Sequence, residues 1–451
     1  MPESAVVILA AGKGTRMKTD LPKPLHRLAG RPMISHVLET VASLAPERTL
    51  VVAAPESKGA LAEVAVGAEV VVQQRPLGTG DATRATRAAL AGFGGDVVVL
   101  FADTPLLRPE TLEALLAARR GAGDPAVAVL GFRPADPARY GRLVLDDAGG
   151  LAAIVELSDA SEAERRIDVC NSGVMAVDGK VLFELLDGLG DDNAQGEFYL
   201  TDIVALARRR GRSAVVVEAE AEELMGIDSR AGLATAEAVM QDRLRQRAMA
   251  AGATLIDPGS VHLCHDTELG RDVVVHPFVV FGPGVAVDDR VEIHSFSHLE
   301  GCHVASGARI GPYARLRPGT QIGTAARIGN FVEVKSAAVA EGAKVNHLAY
   351  VGDAHIGAGA NVGAGTITCN YDGFNKSLTE IGAGAFIGSN TALVAPVRVG
   401  DGAIVGAGSV ITDEVPDDAL ATTRAPQKSV PDFAPRYRAR KQARKAAAKA
   451  K

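Results

Sequence analysis

Two hydrophobic periods divide the chain. Over roughly the first 225 residues, short β-branched runs recur: AVVIL from Ala5, TLVVAA from Thr49, EVVVQQ from Glu69, DVVVLFAD from Asp96 and PAVAVLGF from Pro125. Such runs are what fully buried parallel strands look like. Helical segments separate them, with Pro32 and Pro109 expected at first helical positions, where the missing N–H has no partner to lose. Strands alternating with helices predict an α/β sheet with helices on both faces. From Ser229 to Ala251, Leu233, Ala236, Met240, Leu244 and Met249 recur near helical spacing among Asp242, Arg243 and Arg247, and Gly252 terminates the pattern. One long helix connecting two domains is expected there.

Beyond Gly252 one aliphatic position recurs every six residues: Leu263, Leu269, Val275, Phe281, Val287, Ile293, Leu299. The series resumes as Val304, Ile310, Leu316, Ile322, Ile328, Val334, then Val339, Val345, Val351, then Ile356 and Val362. After a gap come Ile381, Ile387, Leu393, Val399, Val405 and Ile411. The five-residue steps are phase slips. A six-residue period over this length predicts a parallel β-helix, each aliphatic side chain pointing inward onto its counterpart about 4.8 Å away in the next coil. Antiparallel hairpins in a sandwich would instead place turns every 8–12 residues. The run Gly363–Gly373 interrupts the repeats, and an insertion from a regular solenoid tends to carry function. The expected domains are 1–228, a linker helix 229–251, and a β-helix 252–451 ending in the basic tail RYRARKQARKAAAKAK. That tail reads as a solvated, partly helical extension; contact with nucleic acid or a membrane surface is the competing reading.

Composition narrows the function classes. The 451 residues are 47% hydrophobic and 23% charged, ordinary for a globular protein. Aromatic content is 4% with no Trp, which argues against stacking platforms for single-stranded nucleic acid. A net charge of −6 gives no global pull toward nucleic acid or membrane. Cys170, Cys264, Cys302 and Cys369 form no Cys-x-x-Cys pair, so neither a zinc site nor a disulfide framework is signalled. The N-terminal MPESAVVILAAG lacks the basic start of a signal peptide, and no stretch is long enough to span a bilayer. A soluble, reduced, cytoplasmic protein with small-molecule partners is expected, binding neither nucleic acid nor membrane.

Candidate chemistry clusters in two places. Directly after the first strand stands Leu9-Ala10-Ala11-Gly12-Lys13-Gly14-Thr15-Arg16-Met17, then Leu21-Pro22-Lys23-Pro24-Leu25. A glycine-rich turn between strand and helix offers backbone N–H groups to phosphate. It is neither a dinucleotide fingerprint nor a P-loop. Lys13, Arg16 and Lys23 would surround one anionic loop and suit a triphosphate. Asp103, in Phe101-Ala102-Asp103, falls at a strand's C-terminal end, where open α/β sheets bind ligands; it reads as a Mg²⁺ ligand or as a helix cap. In the second half, His347 lies near Arg317, Lys335 and Asn361 in the repeat pattern. The cations suit a phosphate and a neutral imidazole suits an amine proton, although a lone His on a β-helix is often only a surface residue.

The first motif, with Pro22-Lys23-Pro24-Leu25, resembles the sugar-nucleotide pyrophosphorylases. Further landmarks are Gln73, Leu77-Gly78-Thr79-Gly80, Tyr140-Gly141-Arg142, Ile154-Val155-Glu156, Asn171-Ser172-Gly173 and Gly196-Glu197-Phe198-Tyr199-Leu200-Thr201-Asp202. With them, essentially the whole chain resembles the bacterial bifunctional N-acetylglucosamine-1-phosphate uridylyltransferase / glucosamine-1-phosphate acetyltransferase family. The resemblance implies a Rossmann-like nucleotidyltransferase domain, a left-handed parallel β-helix, a homotrimer, Mg²⁺, and UTP and acetyl-CoA as substrates. It also implies that Leu9, Ala10, Ala11, Gly12, Gln73, Gly78 and Thr79 hold uridine, and that Gly141, Glu156 and Asn171 hold the sugar. Lys13 and Arg16 would face the triphosphate as catalytic residues, Lys23 would line the same uridylyl site, and Asp103 and Asp228 would hold the metal. Asp228, in Gly226-Ile227-Asp228, departs from the family's usual Asn, and Phe101-Ala102-Asp103 from its Tyr-Gly-Asp. In the other half the resemblance implies His347 as base and Arg317, Lys335, Tyr350 and Asn361 as sugar-phosphate ligands. Ala364, Asn370, Tyr371, Ser389, Ala407 and Arg424 would contact acetyl-CoA. Two other readings stay open: a single-activity sugar nucleotidyltransferase whose β-helix is structural or regulatory, and a scaffolding subunit with a degenerate nucleotide site.

Overall fold

The computed structural model describes residues 3–12, 14–137 and 140–449. It divides into two compact units, Met1–Arg247 with Leu263–His265, and Ala248–His262 with Asp266–Lys451.

Among the described residues of the first unit, nine strands form one sheet. They are β1 (Ser4–Leu9), β2 (Arg48–Ala53), β3 (Glu69–Val72), β4 (Asp96–Phe101), β5 (Val127–Phe132), β6 (Arg142–Leu145), β7 (Leu151–Val155), β8 (Cys170–Asp178) and β9 (Ala214–Glu218). The order is β9-β5-β8-β4-β1-β2-β3, with the β6–β7 hairpin attached to β8. β1 runs parallel to both β2 and β4, whereas β8 is antiparallel to β4 and β5. All five expected runs are strands. β3 is only half-buried, because it closes the sheet at an edge and has a neighbour on one side alone.

The helices of this unit are α1 (Met33–Ala42), α2 (Lys58–Val64), α3 (Thr79–Arg84), α4 (Pro109–Arg119), α5 (Gly179–Asp187), α6 (Asp202–Arg209) and α7 (Arg230–Ala250). Alternation along β1 feeds two cores. Ala5, Val7 and Leu9 pack with α5 and α6, while Val6 and Ile8 pack with α1, α2 and α4. Helices therefore cover both faces, as expected. Pro109 opens α4, but Pro32 lies one residue before α1, held extended by antiparallel pairing with Arg27. The expected linker helix is present, yet much of it belongs to the first unit. Ala236, with Leu233, Val239 and Met240, packs on Leu28, Met33, Leu106 and Ile227. Met249, near its end, is exposed.

The second unit is a parallel β-helix. On its first face Val275, Ile293, Ile310, Ile328, Val345, Val362, Ile387, Val405 and Ala421 pair in succession. One coil takes eighteen residues from Val275 to Ile293 and seventeen from Ile293 to Ile310. A phase slip thus shortens a coil without breaking the ladder. Two expectations shift. The ladder begins before Leu263, because Thr254–Leu255 pairs with Val274–Val275 and His262 bridges Val280. The helix also continues past Ile411, because Val399 bridges Val415 and Leu420–Ala421 extends the first face. The tail forms helix α8 (Phe433–Lys449), with its described side chains exposed. No described helix is long and apolar enough to cross a membrane.

Two candidate active sites

In the first unit, a cleft of about 570 Å³ opens where β1 and β4 end, a size ordinary for small-molecule sites. Leu9, Ala10, Ala11, Gly12, Lys23, Gln73, Gly78, Thr79 and Asp103 all line it. Sheet pairing puts them there: Ala10 N–H donates to Val52 O at 2.8 Å and Ala102 N–H to Leu9 O at 3.0 Å. Gly78 has φ 106°, and a Cβ there would stand 2.6 Å from Phe198 O. Only glycine lets this loop close on the Gly196–Thr201 segment. Gln73 Nε2 donates to Gly78 O at 3.1 Å and to Asp81 at 2.9 Å. Leu200 N–H donates to Thr79 Oγ1 at 3.0 Å.

The acids are each held by a cation. The Lys23 ammonium pairs with Asp103, both mostly buried, and Arg16 meets Asp228 at 2.8 Å. Ile227 N–H donates to Asp103 O at 2.9 Å, so the residue before Asp228 is bound to Asp103. Carboxylates thus partly neutralise Arg16 and Lys23, two of the three cations expected around the loop. Lys13 lies outside the described residues.

Gly141, Glu156 and Asn171 come together beside a second hollow. Asn171 N–H donates to Gly141 O at 2.8 Å, and a Cβ on Gly141 would lie 3.2 Å from Glu156 Oε2. Burial pushes the Glu156 carboxyl above its usual value, against a hydrogen bond from Thr201 and reinforced by Asp202 and Asp159. Asn171 accepts from Gly173 N–H at 2.9 Å, and Gly173, with φ 81°, leaves room for the Phe101 ring. Pro76, Phe101 and Glu197 line the cleft without having been assigned to it. Glu197 falls in the Gly196–Asp202 landmark and Phe101 in Phe101-Ala102-Asp103, whereas Pro76 lay just outside Leu77–Gly80.

In the second unit, register aligns much of the other predicted site. Val345, Val362, Ile387 and Val405 are successive partners on the first face. His347, Ala364, Ser389 and Ala407 each follow one of these by two residues, so they form a row along one edge with steps of about 4.8 Å. Arg424 reaches this row: its guanidinium donates to Ala407 O at 2.8 Å. It follows the last paired strand, Leu420–Ala421.

His347 Nδ1 lies 2.6 Å from Asn330 Oδ1, its partner in the preceding coil. With the amide oxygen accepting, Nδ1 carries the hydrogen, and in the neutral ring Nε2 keeps its lone pair. On the second face Arg317, Lys335 and Gly352 align in consecutive coils. Arg317 donates to Glu333 at 2.8 Å. Lys376 chiefly lowers the Lys335 pKa, with smaller contributions from desolvation and Arg317. Tyr350 folds its hydroxyl over Gly352, where a Cβ would meet it at 2.4 Å. Asn361 lies instead on the first face, in the strand beside His347's, and is not aligned with that cationic row. The insertion begins later than expected. Ile367–Cys369 still pairs within the coil, and the excursion is the hairpin from Asn370, closed by Ser377 N–H to Asn370 O at 2.9 Å and a Tyr371–Lys376 bridge. Asn330 and Lys376 were missed. A count of one coil back from His347 finds Asn330, but only the folded hairpin brings Lys376 in.

Residues 6–167 match the MobA-like NTP transferase domain family, and residues 378–413 match the bacterial transferase hexapeptide family as six repeats. Fold and cleft thus define a nucleotidyltransferase unit joined to a left-handed hexapeptide-repeat transferase. The bifunctional protein GlmU of Paramagnetospirillum magneticum is 59% identical over 435 residues, covering 96% of each chain. That of Rhodospirillum rubrum is 59% identical over 97% of this chain and 98% of its own, and that of Zymomonas mobilis 52% over the same shares. The chain belongs to the bifunctional GlmU family.

Proposed function

We propose that the β-helix site acetylates glucosamine-1-phosphate from acetyl-CoA, and that the cleft of the first unit then transfers a uridylyl group from UTP to the N-acetylglucosamine-1-phosphate so formed. Residues 1–228 carry the uridylyl site, 229–251 the connecting helix and 252–451 the acetyl site. The observation that carries this reading is the presence of both constellations in one chain: acids and cations at the strand ends of one unit, and His347 on Asn330 beside a cationic row in the other.

In the cleft, Leu9–Gly12, Gln73, Gly78 and Thr79 hold the uridine, while Gly141, Glu156 and Asn171 hold the sugar. A sugar-phosphate oxygen attacks the α-phosphorus of UTP. The bond to the bridging oxygen breaks and pyrophosphate leaves. Such a reaction rests on positioning and charge neutralisation. Lys13, Arg16 and Lys23 oppose the phosphate charge. Two carboxylates are the hard oxygen donors that suit Mg²⁺, so Asp103 and Asp228 would hold it; when bound, it neutralises phosphate charge.

At the other site Arg317, Lys335, Tyr350 and Asn361 bind the amino-sugar phosphate, with Lys376 added. Acetyl-CoA lies along the row of Ala364, Ser389 and Ala407 toward Arg424, flanked by Asn370 and Tyr371. The neutral amine attacks the thioester carbonyl, His347 Nε2 takes the amine proton, and CoA leaves as the thiol after reprotonation. The sites assemble in a homotrimer, where a neighbour's first face supplies Asn361. UTP and acetyl-CoA are cytoplasmic metabolites, which places the enzyme there. The test supplies glucosamine-1-phosphate, acetyl-CoA, UTP and Mg²⁺ and identifies products by mass. UDP-N-acetylglucosamine should form only when all are present; a nucleotide-sugar product without any acetyl transfer would leave the β-helix a structural module.

A further inference from the structure

Neither transfer uses a cluster in the early coils of the β-helix. His276, Glu292 and His294 bring their ligand atoms within 4.8 Å of one another. The register explains the convergence. Val275 pairs with Ile293, so His276 and His294 follow at the same position in consecutive coils. Their N–H groups continue the ladder, to Ile293 O at 2.9 Å and Ile310 O at 2.8 Å. Ile293 points inward, so Glu292 and His294 on either side of it share the outer face. The two imidazoles lie 4.6 Å apart between centroids, tilted by 38°.

Both rings aim the same atom at the same oxygen. Glu292 Oε1 is 3.4 Å from His276 Nε2 and 3.7 Å from His294 Nε2. A tetrahedral ion with bonds of about 2.0–2.1 Å holds its ligand atoms about 3.3 Å apart. The three donors are therefore within a few tenths of an ångström of that spacing along both histidine–carboxylate edges. The other oxygen, Oε2, faces Arg309 Nε at 3.5 Å, the outer partner that orients a ligating carboxylate. An ion pair with Arg309 and a hydrogen bond with His276 account for both Glu292 oxygens but leave the second imidazole, from the next coil, directed at the same Oε1.

The next position in the same row is Gly311, which brings no side chain over the cluster. Each of the three side chains is about one-third exposed (29%, 34% and 30%), which leaves room for a water as a fourth ligand. Two imidazoles and one carboxylate suit zinc-class ions rather than Mg²⁺, which prefers all-oxygen sites.

We propose that His276, Glu292 and His294 bind one zinc-class divalent ion, which clips two consecutive coils of the β-helix together and is separate from the metal of uridylyl transfer. The test uses the full-length chain stripped with a chelator. Zn²⁺ is titrated in competition with a chromogenic chelator, and Co²⁺ is followed by its visible spectrum. One equivalent should bind at this cluster, with a Co²⁺ spectrum free of thiolate charge transfer, and Zn²⁺ should raise the melting temperature. The His276→Gln/His294→Gln variant should lose that equivalent, weakening binding by roughly tenfold or more, and lose the thermal shift. Both transfer activities should remain, and Asp103→Asn should keep the zinc equivalent. Glu292→Gln gives the same readout should the double variant melt differently from stripped wild type. Unchanged zinc affinity in these variants, or a thiolate-bearing Co²⁺ spectrum, would overturn the site.

Discussion

Glu156 is a residue whose charge works against its surroundings. Burial raises its pKa, so the native state holds a proton that the unfolded chain has already released just above the ordinary glutamate value. Its stabilising contribution is present at acid pH and is lost as pH rises through the raised value. Glu156→Gln should therefore melt at or above the wild-type temperature at pH 8, with the difference shrinking below about pH 4.5. The KM for N-acetylglucosamine-1-phosphate should rise about tenfold or more as one hydrogen-bonding carboxylate is lost. Calorimetry against pH, with steady-state kinetics, checks both. Asp103 acts differently. Asp103→Ala removes a hard oxygen ligand and leaves the mostly buried Lys23 ammonium without its partner. Uridylyl transfer should fall to background while acetyl transfer is spared, as measured by pyrophosphate and thiol release. His347→Ala should lower acetyl-transfer turnover by about 10²–10⁴, the usual worth of a general base. Cys369→Ala should stay near wild type, because direct attack by the amine needs no acetyl-thiol intermediate; a trapped acetyl-Cys369 would sink that mechanism.

Among the elements, α7 alters the expected domain boundary most. Its place between two hydrophobic patterns suggested a connector, but Leu233, Ala236 and Met240 close the cluster of Leu28, Met33, Leu106 and Ile227. Leu233 and Met240 are partly buried, so each contributes a fraction of the roughly 1.5–3 kcal/mol of a fully buried large side chain, and Ala236 less. A fragment of residues 1–251 should melt cooperatively and retain uridylyl transfer. Residues 1–228, which lack the helix, should be several kcal/mol less stable, as denaturant titration will show; equal stability of the two would remove α7 from the first unit's core. The hairpin beginning at Asn370 is the other element that composition disguised. Thr366 to Cys369 break the six-residue rhythm in sequence, but Ile367 still pairs with Tyr350 and Ala392. The excursion starts only afterwards and carries Lys376 toward Lys335.

At the scale of the whole molecule, one chain leaves the proposed acetyl site divided. His347 and the Ala364–Ala407 row follow the first face, Arg317, Lys335 and Tyr350 occupy the second, and Asn361 looks out from the first. Side-by-side packing of β-helices in a closed trimer would supply the groove between them. Light scattering on residues 252–451, with acetyl transfer measured at the same concentration, should give an active trimer. Co-expressed His347→Ala and Asn361→Ala subunits, each inactive alone, should recover activity where a site draws one residue from each copy. A fully active monomer would end the idea.

The sequence alone determined the five strand runs, the six-residue period, the glycine-rich turn and the strand-end acid at Asp103. These are local signals, set by side-chain alternation, by stacking and by backbone freedom over a few residues. It did not announce β8, because an antiparallel strand inserted into a mostly parallel sheet has no short-range mark of its own; β9, which runs parallel to β5, carries a β-branched run like the others and was missed. Nor did it show that Lys23 and Arg16 are tied to Asp103 and Asp228, partners 80 and 212 residues apart in the chain. Only the tertiary structure decided those pairs, the anchoring of His347 on Asn330, and the convergence of His276 and His294 on one carboxylate. Each depends on register between coils or strands, and register is fixed by the packing of the whole ladder, not by any one repeat.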